Sequence, residues 1–315
     1  MFEHNPVTKL LKTKYPLIQG GMAWVADANL AAAVSNGGGL GIIAAANMPP
    51  ELLEQQLIKI RTMTDKPFGL NIMLLSQTAP DALELAAKYR VPVVTTGAGM
   101  PSRVIERLKP LGTTVIPVLA SVAHAQRVAK QGADAVIAEG MESGGHIGDI
   151  STMNIVPQVV DAVSIPVIAA GGIADGRGAA AAFALGATGI QLGTRFVCAE
   201  ECSVHINYKE KIIKAGDRAT AVTGRALGHP VRALKNKFTK QFEELEKNGA
   251  TAEEMENFGA GKLRLAVVEG DVEMGSFMSG QSAGLVTKIE PAAVIIESII
   301  SQMNNIFKEM AGYDR

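Results

Sequence analysis

The sequence predicts an α/β protein, a (β/α)8 TIM barrel with a small, mainly helical insertion after the eighth strand. Eight short apolar runs recur along the chain, and each is followed by a glycine or polar turn and then by a segment with helical spacing. This alternation indicates parallel strands joined by right-handed crossovers, and eight units indicate a closed barrel. Apolar residues make up 47% and aromatic residues 4% of the 315 residues, as expected for interior parallel strands.

Each predicted strand is bounded by turn residues, and prolines stand at or just before four of the strands, where proline ends the preceding helix. The predicted strands are Leu17–Gln19, Leu40–Ala44, Phe68–Met73, Val93–Thr96, Thr114–Leu119, Ala135–Ala138, Val167–Ala170 and Gly189–Leu192. The helices predicted between them are Val25–Asn36, Pro50–Met63, Ala79–Tyr89, Ser102–Leu108, Val122–Gln131, Met153–Val163 and Gly176–Leu185.

The chain changes character after the eighth strand, which indicates an inserted unit. Nine Lys or Arg and two Asp or Glu lie between His205 and Lys240, and six Glu follow between Gln241 and Glu256. We therefore divide the chain into a barrel, residues 1–196 and 276–315, and an inserted lid or substrate-binding subdomain, residues 197–275. The closing helix is predicted over Glu290–Phe307, with Pro291 near its start.

Composition excludes several classes of protein. A net charge of −1 argues against nucleic-acid binding, which needs a positive surface. The absence of a long apolar run and of an apolar signal segment in residues 1–14 predicts no membrane span and a cytoplasmic protein. Cys198 and Cys202 predict free thiols, because with His205 they lack a fourth metal ligand. No metal site is predicted.

Glycine turns after the seventh and eighth strands predict a phosphate site. Loops at these two positions of a barrel often hold phosphate through backbone N–H groups. Gly171 and Gly172 follow the seventh strand, while Gly193 and Thr194 follow the eighth, where Thr194 adds a hydroxyl donor. The alternative interpretation is that these glycines only turn the chain.

The phosphate ligand predicted for this site is FMN. Gly21, Met22 and Ala23 follow the first strand and could lie flat against a large ring. Asn71 and Gln191 can donate and accept hydrogen bonds, as a flavin edge requires, and Glu139 could accept from ribityl hydroxyls. A sugar phosphate would not need so many flat glycine approaches. Either amide alone could instead be buried and bonded to backbone.

The loop after the sixth strand brings a titratable ring to the same end of the barrel. Between Ala138 and Gly148 it carries four glycines, Gly144 and Gly145 among them, together with Glu139, Glu142 and His146. Glycine permits close approach to a flat ligand, and His146 would stand beside it. The alternative is a flexible loop with an incidental histidine.

At these motifs the chain resembles the flavin-dependent enoyl-acyl carrier protein reductase II (FabK-type) family, within the superfamily that contains nitronate monooxygenases. The most specific motif is Glu142–Gly148, and the resemblance covers nearly the whole chain. The matching segments are Ile18–Trp24, Lys66–Asn71, Thr95–Gly99, Glu139–Gly148, Ile168–Gly176, Gln191–Phe196, Tyr208–Lys211, Gly228–Arg232 and Gly280–Leu285.

The resemblance implies FMN as cofactor, NADH or NADPH as cosubstrate, a trans-2-enoyl chain on acyl carrier protein as substrate, and His146 as the catalytic residue. It also implies a homodimer and is compatible with a monovalent cation. One alternative is a nitronate monooxygenase that oxidises alkyl nitronates with O2, with the same histidine as base. A second alternative is a non-catalytic flavin-binding module.

Further charged residues carry weaker expectations. His124 is expected on the surface, and His229 is interpreted equally as structural or as lining the substrate entrance. A basic cluster could dock the acidic acyl carrier protein, contact dinucleotide phosphates, or form an ordinary solvated helix face. The cluster consists of Arg232, Lys235, Lys237 and Lys240.

Overall fold

Eight parallel strands form a barrel in the computed structural model, which describes residues 2–312. The eight strands follow one another around the barrel in chain order, and the last of them pairs with the first. Backbone hydrogen bonds close the ring, from the Leu40 N–H to the Leu17 carbonyl at 2.8 Å and from the Gln19 N–H to the Leu40 carbonyl at 3.0 Å. The predicted (β/α)8 fold class is therefore confirmed.

The barrel elements lie close to their predicted positions. The barrel strands are β1 (Leu17–Gln19), β2 (Gly41–Ala44), β3 (Phe68–Met73), β4 (Val93–Gly97), β5 (Thr114–Leu119), β6 (Val136–Glu139), β8 (Val167–Ala170) and β9 (Gly189–Leu192). The helices outside it are α2 (Ala28–Asn36), α3 (Pro50–Met63), α4 (Ala79–Lys88), α5 (Ser102–Leu108), α6 (Val122–Lys130), α7 (Thr152–Ala162), α8 (Gly176–Ala184) and the closing α14 (Ala292–Met310). None of these helices, nor any other in residues 2–312, is long and apolar enough to cross a bilayer.

The core has two layers, as this architecture requires. One apolar cluster fills the barrel, and a larger one lies between the strands and the surrounding helices. The inner cluster includes Val7 and Leu11 of a short helix that was not predicted, α1 (Pro6–Leu11). The Asn5 side chain caps α1 and donates to the Thr188 carbonyl at 2.8 Å, so α1 is anchored at the entry to β9.

The insertion is more mixed than predicted. The short helix α9 (Thr194–Val197) leads into it from the barrel, and its own helices are α10 (Ile206–Ile213), α11 (Lys237–Lys247), α12 (Ala252–Gly259) and α13 (Lys262–Arg264). It also contains an antiparallel hairpin of β10 (Thr220–Thr223) and β11 (Val231–Leu234), which the sequence analysis missed. β11 pairs in turn with β7 (Gly145–His146), so the insertion hydrogen-bonds to the histidine loop of the barrel. The division into two subdomains stays a prediction.

Candidate active site

The predicted site residues lie at the carboxyl end of the barrel. These ends meet at one face in a parallel barrel, so the residues share one mouth. Asn71, Glu139 and Gln191 lie on strands β3, β6 and β9. The others lie in the connections that follow β1, β6, β8 and β9, where Gly145 and His146 form the short strand β7 and Thr194 begins α9. These residues are Gly21, Met22, Ala23, Gly144, Gly145, His146, Gly171, Gly172, Gly193 and Thr194.

Two side-chain amides pack directly against the glycine turn after β1. A Cβ placed on Gly20 would lie 3.1 Å from Gln191 Cδ, and one on Gly21 would lie 2.3 Å from Asn71 Cβ. A larger residue at either position would displace an amide, so the turn must be bare for Asn71 and Gln191 to hold their positions. The glycines here serve close packing against these two side chains, and their contact with a flat ring stays a prediction.

One buried acceptor at this end of the barrel has no hydrogen-bond partner among residues 2–312. Asn71 Nδ2 donates to Thr95 Oγ1 at 3.0 Å, whereas Gln191 Oε1 accepts from no donor in this part of the chain. Buried polar atoms are rarely left unpaired in proteins. A ligand with a donor along one edge would pair this oxygen, and the isoalloxazine ring of FMN has such an edge.

The turns after β8 and β9 have the backbone that a phosphate site needs. Gly171 and Gly172 have φ values of +94° and +70°, which disfavour other residues. A Cβ on Gly171 would lie 2.8 Å from the Gly140 carbonyl oxygen. Thr194 Oγ1 accepts from the Gly280 N–H at 2.9 Å, which leaves the hydroxyl proton available to a ligand. These turns fit the phosphate of FMN.

The two carboxylates of the histidine loop have different surroundings. Glu142 accepts from the Thr152 N–H at 2.9 Å and from Thr152 Oγ1 at 2.9 Å, so it anchors the loop to the start of α7. No sequence pattern predicted this structural role. Burial raises the pKa of Glu139 to about 7, and the Ser143 hydroxyl beside it opposes that rise. At neutral pH the Glu139 carboxyl is therefore protonated in a large fraction of the molecules.

Glu139→Gln is expected to stabilise the ligand-free protein at pH 8 and to have little effect at pH 4. The raised pKa means that ionised Glu139 costs folding free energy, which is absent below the unfolded pKa near 4.5 and fully present above about 7. The gain is at most about 3 kcal/mol. Urea unfolding at both pH values measures it, with the exposed Glu244→Gln as control. An equal effect of Glu139→Gln at both pH values would contradict the assignment.

His146 is fixed by the pairing of β7 with β11. Its backbone lies opposite Val231, and Gly145, with φ of +75°, lies opposite Arg232. The ring is open to solvent on one side, yet the surrounding protein desolvates it enough to lower its pKa, and His229 lowers the pKa further. The imidazole is therefore neutral at pH 7. A neutral ring can donate one N–H and accept at the other nitrogen.

Arg232 was assigned to a basic surface cluster, and this is wrong. Its side chain is buried, donating to the Met141 carbonyl from Nε at 3.2 Å and from Nη2 at 3.0 Å. Nη1 donates to Thr220 Oγ1 at 3.0 Å. Arg232 thus ties the histidine loop to both strands of the hairpin. Arg232 lies within the short apolar run Val231–Leu234, and this position was the only sequence feature that indicated a buried side chain.

The remaining predicted residues separate into buried and exposed groups. His124, expected on the surface, is instead half-buried, and burial lowers its pKa. His229, Lys235, Lys237 and Lys240 are exposed. Cys198 and Cys202 are free thiols whose pKa values burial raises to about 11 and about 12. Within residues 2–312, no three His, Cys, Asp or Glu side chains are grouped to hold a metal ion.

The sequence matches curated proteins along most of its length. A Mycobacterium tuberculosis relative named (3aS,4S,5R,7aS)-5-hydroxy-7a-methyl-1-oxo-octahydro-1H-indene-4-carboxyl-CoA dehydrogenase is 36% identical, over 94% of this chain and 95% of the relative. A probable nitronate monooxygenase from Staphylococcus aureus is 33% identical, over 98% of this chain and 99% of the relative.

Solved structures match the fold and the insertion together. FabK from Thermotoga maritima is 52% identical with a TM-score of 0.96, over 98% of this chain and 99% of FabK. A nitroalkane oxidase from Streptomyces ansochromogenes is 29% identical with a TM-score of 0.85, over 97% and 99% of the two chains. The nitronate monooxygenase family model matches residues 4–302. Because this match spans almost the whole described chain, the protein belongs to the nitronate monooxygenase family.

Proposed function

We propose that this protein is an FMN-dependent oxidoreductase, an enoyl-[acyl-carrier-protein] reductase that uses NADH or NADPH to reduce trans-2-enoyl thioesters. The observation that carries the proposal is the 52% identity to FabK over 98% of the chain, since this coverage includes the insertion. The relative from Mycobacterium tuberculosis is named for a carboxyl-CoA compound, which is also a thioester.

The mouth supplies groups suited to each part of FMN. The turns at Gly171 and Gly193 would hold the phosphate, Glu139 the ribityl chain, and Asn71 with Gln191 the polar edge of the ring. A partly protonated Glu139 reduces charge repulsion with a nearby phosphate, because its carboxyl is neutral in part of the molecules. FMN bound there would carry a hydride from NADH or NADPH to the β-carbon of the enoyl thioester.

His146 would act on the thioester carbonyl. As negative charge develops on that oxygen, the neutral imidazole donates an N–H hydrogen bond to it. The α-carbon also needs a proton, which the same ring can relay from solvent because one side of it is open. The pairing of β7 with β11 holds the ring in place for both tasks, so the insertion positions the catalytic residue.

His229→Ala is expected to raise the His146 pKa, since the His229 charge contributes to its lowered value. In the parent protein, activity should persist as pH falls through 6.5, the ordinary histidine value, and decline only below it. The variant should lose activity at a higher pH. NMR titration of the His146 ring measures its pKa, and the acid limb of the pH profile of kcat/KM measures the loss of activity. His4→Ala, a change of an exposed histidine, is the control. A downward shift of the limb would contradict the neutral-donor role.

The function is tested anaerobically with the purified flavoprotein. Addition of NADH or NADPH should bleach the flavin absorbance, and crotonyl thioester should restore it. Failure of both nicotinamides to bleach the flavin would overturn the proposal. Oxygen consumption with an alkyl nitronate and indifference to nicotinamide would instead identify a nitronate monooxygenase, which the Staphylococcus aureus relatives keep as the second candidate.

A further inference from the structure

A cavity of about 400 Å3 lies in the insertion. It is bounded by α10, by the strand β11 and by the segment before Phe277. No residue in its wall belongs to the predicted FMN site. Its polar wall consists of Asn207, Glu210, Lys211, Lys214 and Lys235.

The cavity has an excess of positive charge. Lys214 pairs with Glu210 at 3.0 Å, which leaves the wall without another carboxylate. Within residues 2–312, neither Lys211 nor Lys235 has a carboxylate oxygen within 4 Å. Two ammonium groups therefore face one concave space without a protein counter-ion. Such a space favours a ligand that brings its own negative charge.

The ammonium of Lys211, a residue of the cavity wall, lies against a buried aromatic ring rather than free in solvent. Its Nζ lies 5.5 Å from the centroid of the Phe277 ring, within cation–π range. Burial lowers the pKa of Lys211, while Glu273 opposes that effect. A partly desolvated ammonium that lacks an ion pair gains more from an anion than a fully hydrated one.

The rest of the cavity wall is apolar. It is formed by Ala215, Ala219, Leu234 and Val272, and Val272 is 41% exposed. An apolar wall beside two ammonium groups suits a ligand with a flat ring and a phosphate. Inorganic phosphate alone would leave the apolar wall uncovered.

The cavity connects to the histidine loop through two short links. Leu234 lies three residues along β11 from Val231, which pairs with His146, a distance of about 10 Å at the usual strand rise. The Leu234 N–H donates to the Phe277 carbonyl at 2.9 Å. The next residue, Met278, places its sulfur 3.7 Å from where a Cβ on Gly145 would lie. These links run through the buried residues Leu234 and Phe277, so they place the cavity near the mouth without forming a channel between the two.

We propose that this cavity binds the phosphorylated adenosine of a cosubstrate, with Lys211 and Lys235 at the phosphate. The inference rests on the proposed function, in which NADPH is the cosubstrate that carries this group. Two sources share the chemistry. NADPH carries a 2′-phosphate on its adenosine, and a coenzyme A thioester carries a 3′-phosphate.

The test is calorimetric binding of 2′,5′-ADP and 3′,5′-ADP to the FMN-loaded enzyme. Bound FMN keeps the phosphate turns of the mouth occupied, so the signal reports on other sites. Lys211→Gln and Lys235→Gln should each weaken binding about tenfold, as expected for loss of one charged contact. Lys237→Gln, an exposed lysine outside the cavity, is the matched control. Thermal melting verifies that Lys211→Gln stays folded, and the exposed Lys235→Gln gives an independent reading.

Tighter binding of 2′,5′-ADP identifies the dinucleotide as the source, and tighter binding of 3′,5′-ADP identifies coenzyme A. Absence of binding by the parent enzyme, or equal binding by all variants, overturns the proposal. The proposal is also overturned if Lys235→Gln loses activity toward the acyl carrier protein substrate while its nucleotide binding is unchanged, a result that would indicate protein docking.

The binding assay needs no turnover. An enzyme that reduces enoyl thioesters but binds neither nucleotide fails this inference alone, whereas one that binds but does not reduce fails the proposed function alone.

Discussion

His146→Ala is expected to lower kcat for enoyl thioester reduction by about 10²- to 10⁴-fold, the usual contribution of a positioned proton donor. The backbone of His146 pairs with Val231, and this pairing does not need the imidazole. The ring is also partly open to solvent, so its loss leaves no large void. Fold and flavin content should therefore remain those of the parent. Steady-state kinetics with crotonyl thioester, beside the flavin absorbance of the purified variant, measures the effect.

Two comparisons make the result specific. His229→Ala changes a histidine near the ring that makes no proposed contact with substrate, so kcat at pH 8 should change little. Anaerobic bleaching of the flavin by NADH or NADPH should survive in His146→Ala, because the ring acts on the thioester. If His146→Ala reduced the thioester with the kcat of the parent protein, the role proposed for the imidazole would be wrong. Loss of flavin would instead show that the ring supports the cofactor site.

The barrel could be predicted in detail because its signals are local. Strands β3, β5, β8 and β9 have the predicted bounds, since each is a short apolar run closed by glycine, proline or polar residues. α3 and α5 also begin and end as predicted, each opening beside proline. Placement of polar residues at the mouth followed from topology alone, because every barrel strand presents its carboxyl end there.

The parts that escaped prediction depend on contacts between distant segments. β7 has two residues, and its partner β11 lies more than 80 residues later, so no local pattern distinguishes this pairing. The same holds for Arg232, whose charge suggested the surface although carbonyl and hydroxyl oxygens satisfy it inside. From the sequence, Glu142 resembled a second carboxylate of the site beside Glu139. Its hydrogen bonds to Thr152 instead show that it anchors the loop to the start of α7. The sequence showed which charged and polar residues could take part in chemistry. It did not show which of them belong to the site and which only hold the structure together.

A buried ion pair stands directly behind the predicted phosphate turn. Arg195 follows Thr194 in α9, and its guanidinium forms a salt bridge with Glu290. Their side chains are 10% and 14% exposed. Among residues 2–312, the Arg195 side chain otherwise donates only to the Lys288 carbonyl, at 3.3 Å. Backbone hydrogen bonds of Glu290 with Cys198 and Glu200 join the same two parts of the chain, the segment after α9 and the segment before α14. The ion pair and these bonds together hold the two segments against each other.

Glu290→Ala is expected to reduce the free energy of unfolding by about 3 kcal/mol, because it leaves a buried guanidinium without a counter-ion. Lys288→Ala removes the other partner of Glu290, at 2.6 Å, but that lysine side chain is 67% exposed and its loss should cost under about 1 kcal/mol. The double variant Arg195→Met with Glu290→Leu should recover most of the stability, since apolar residues replace both charges. Urea unfolding of the four proteins measures these differences. Equal stability of Glu290→Ala and Lys288→Ala would contradict the argument.

The same substitution should also weaken flavin binding, and this links the ion pair to the site. Arg195 is adjacent to Thr194, whose hydroxyl is predicted to face the phosphate, so an unpaired guanidinium that moves toward solvent displaces the turn. Titration of flavin-free protein with FMN should give weaker binding in Glu290→Ala and parent-like binding in Lys288→Ala. If the double variant regains stability without regaining FMN affinity, the Arg195 charge itself attracts the phosphate. If it regains both, the pair acts only by holding the turn in place.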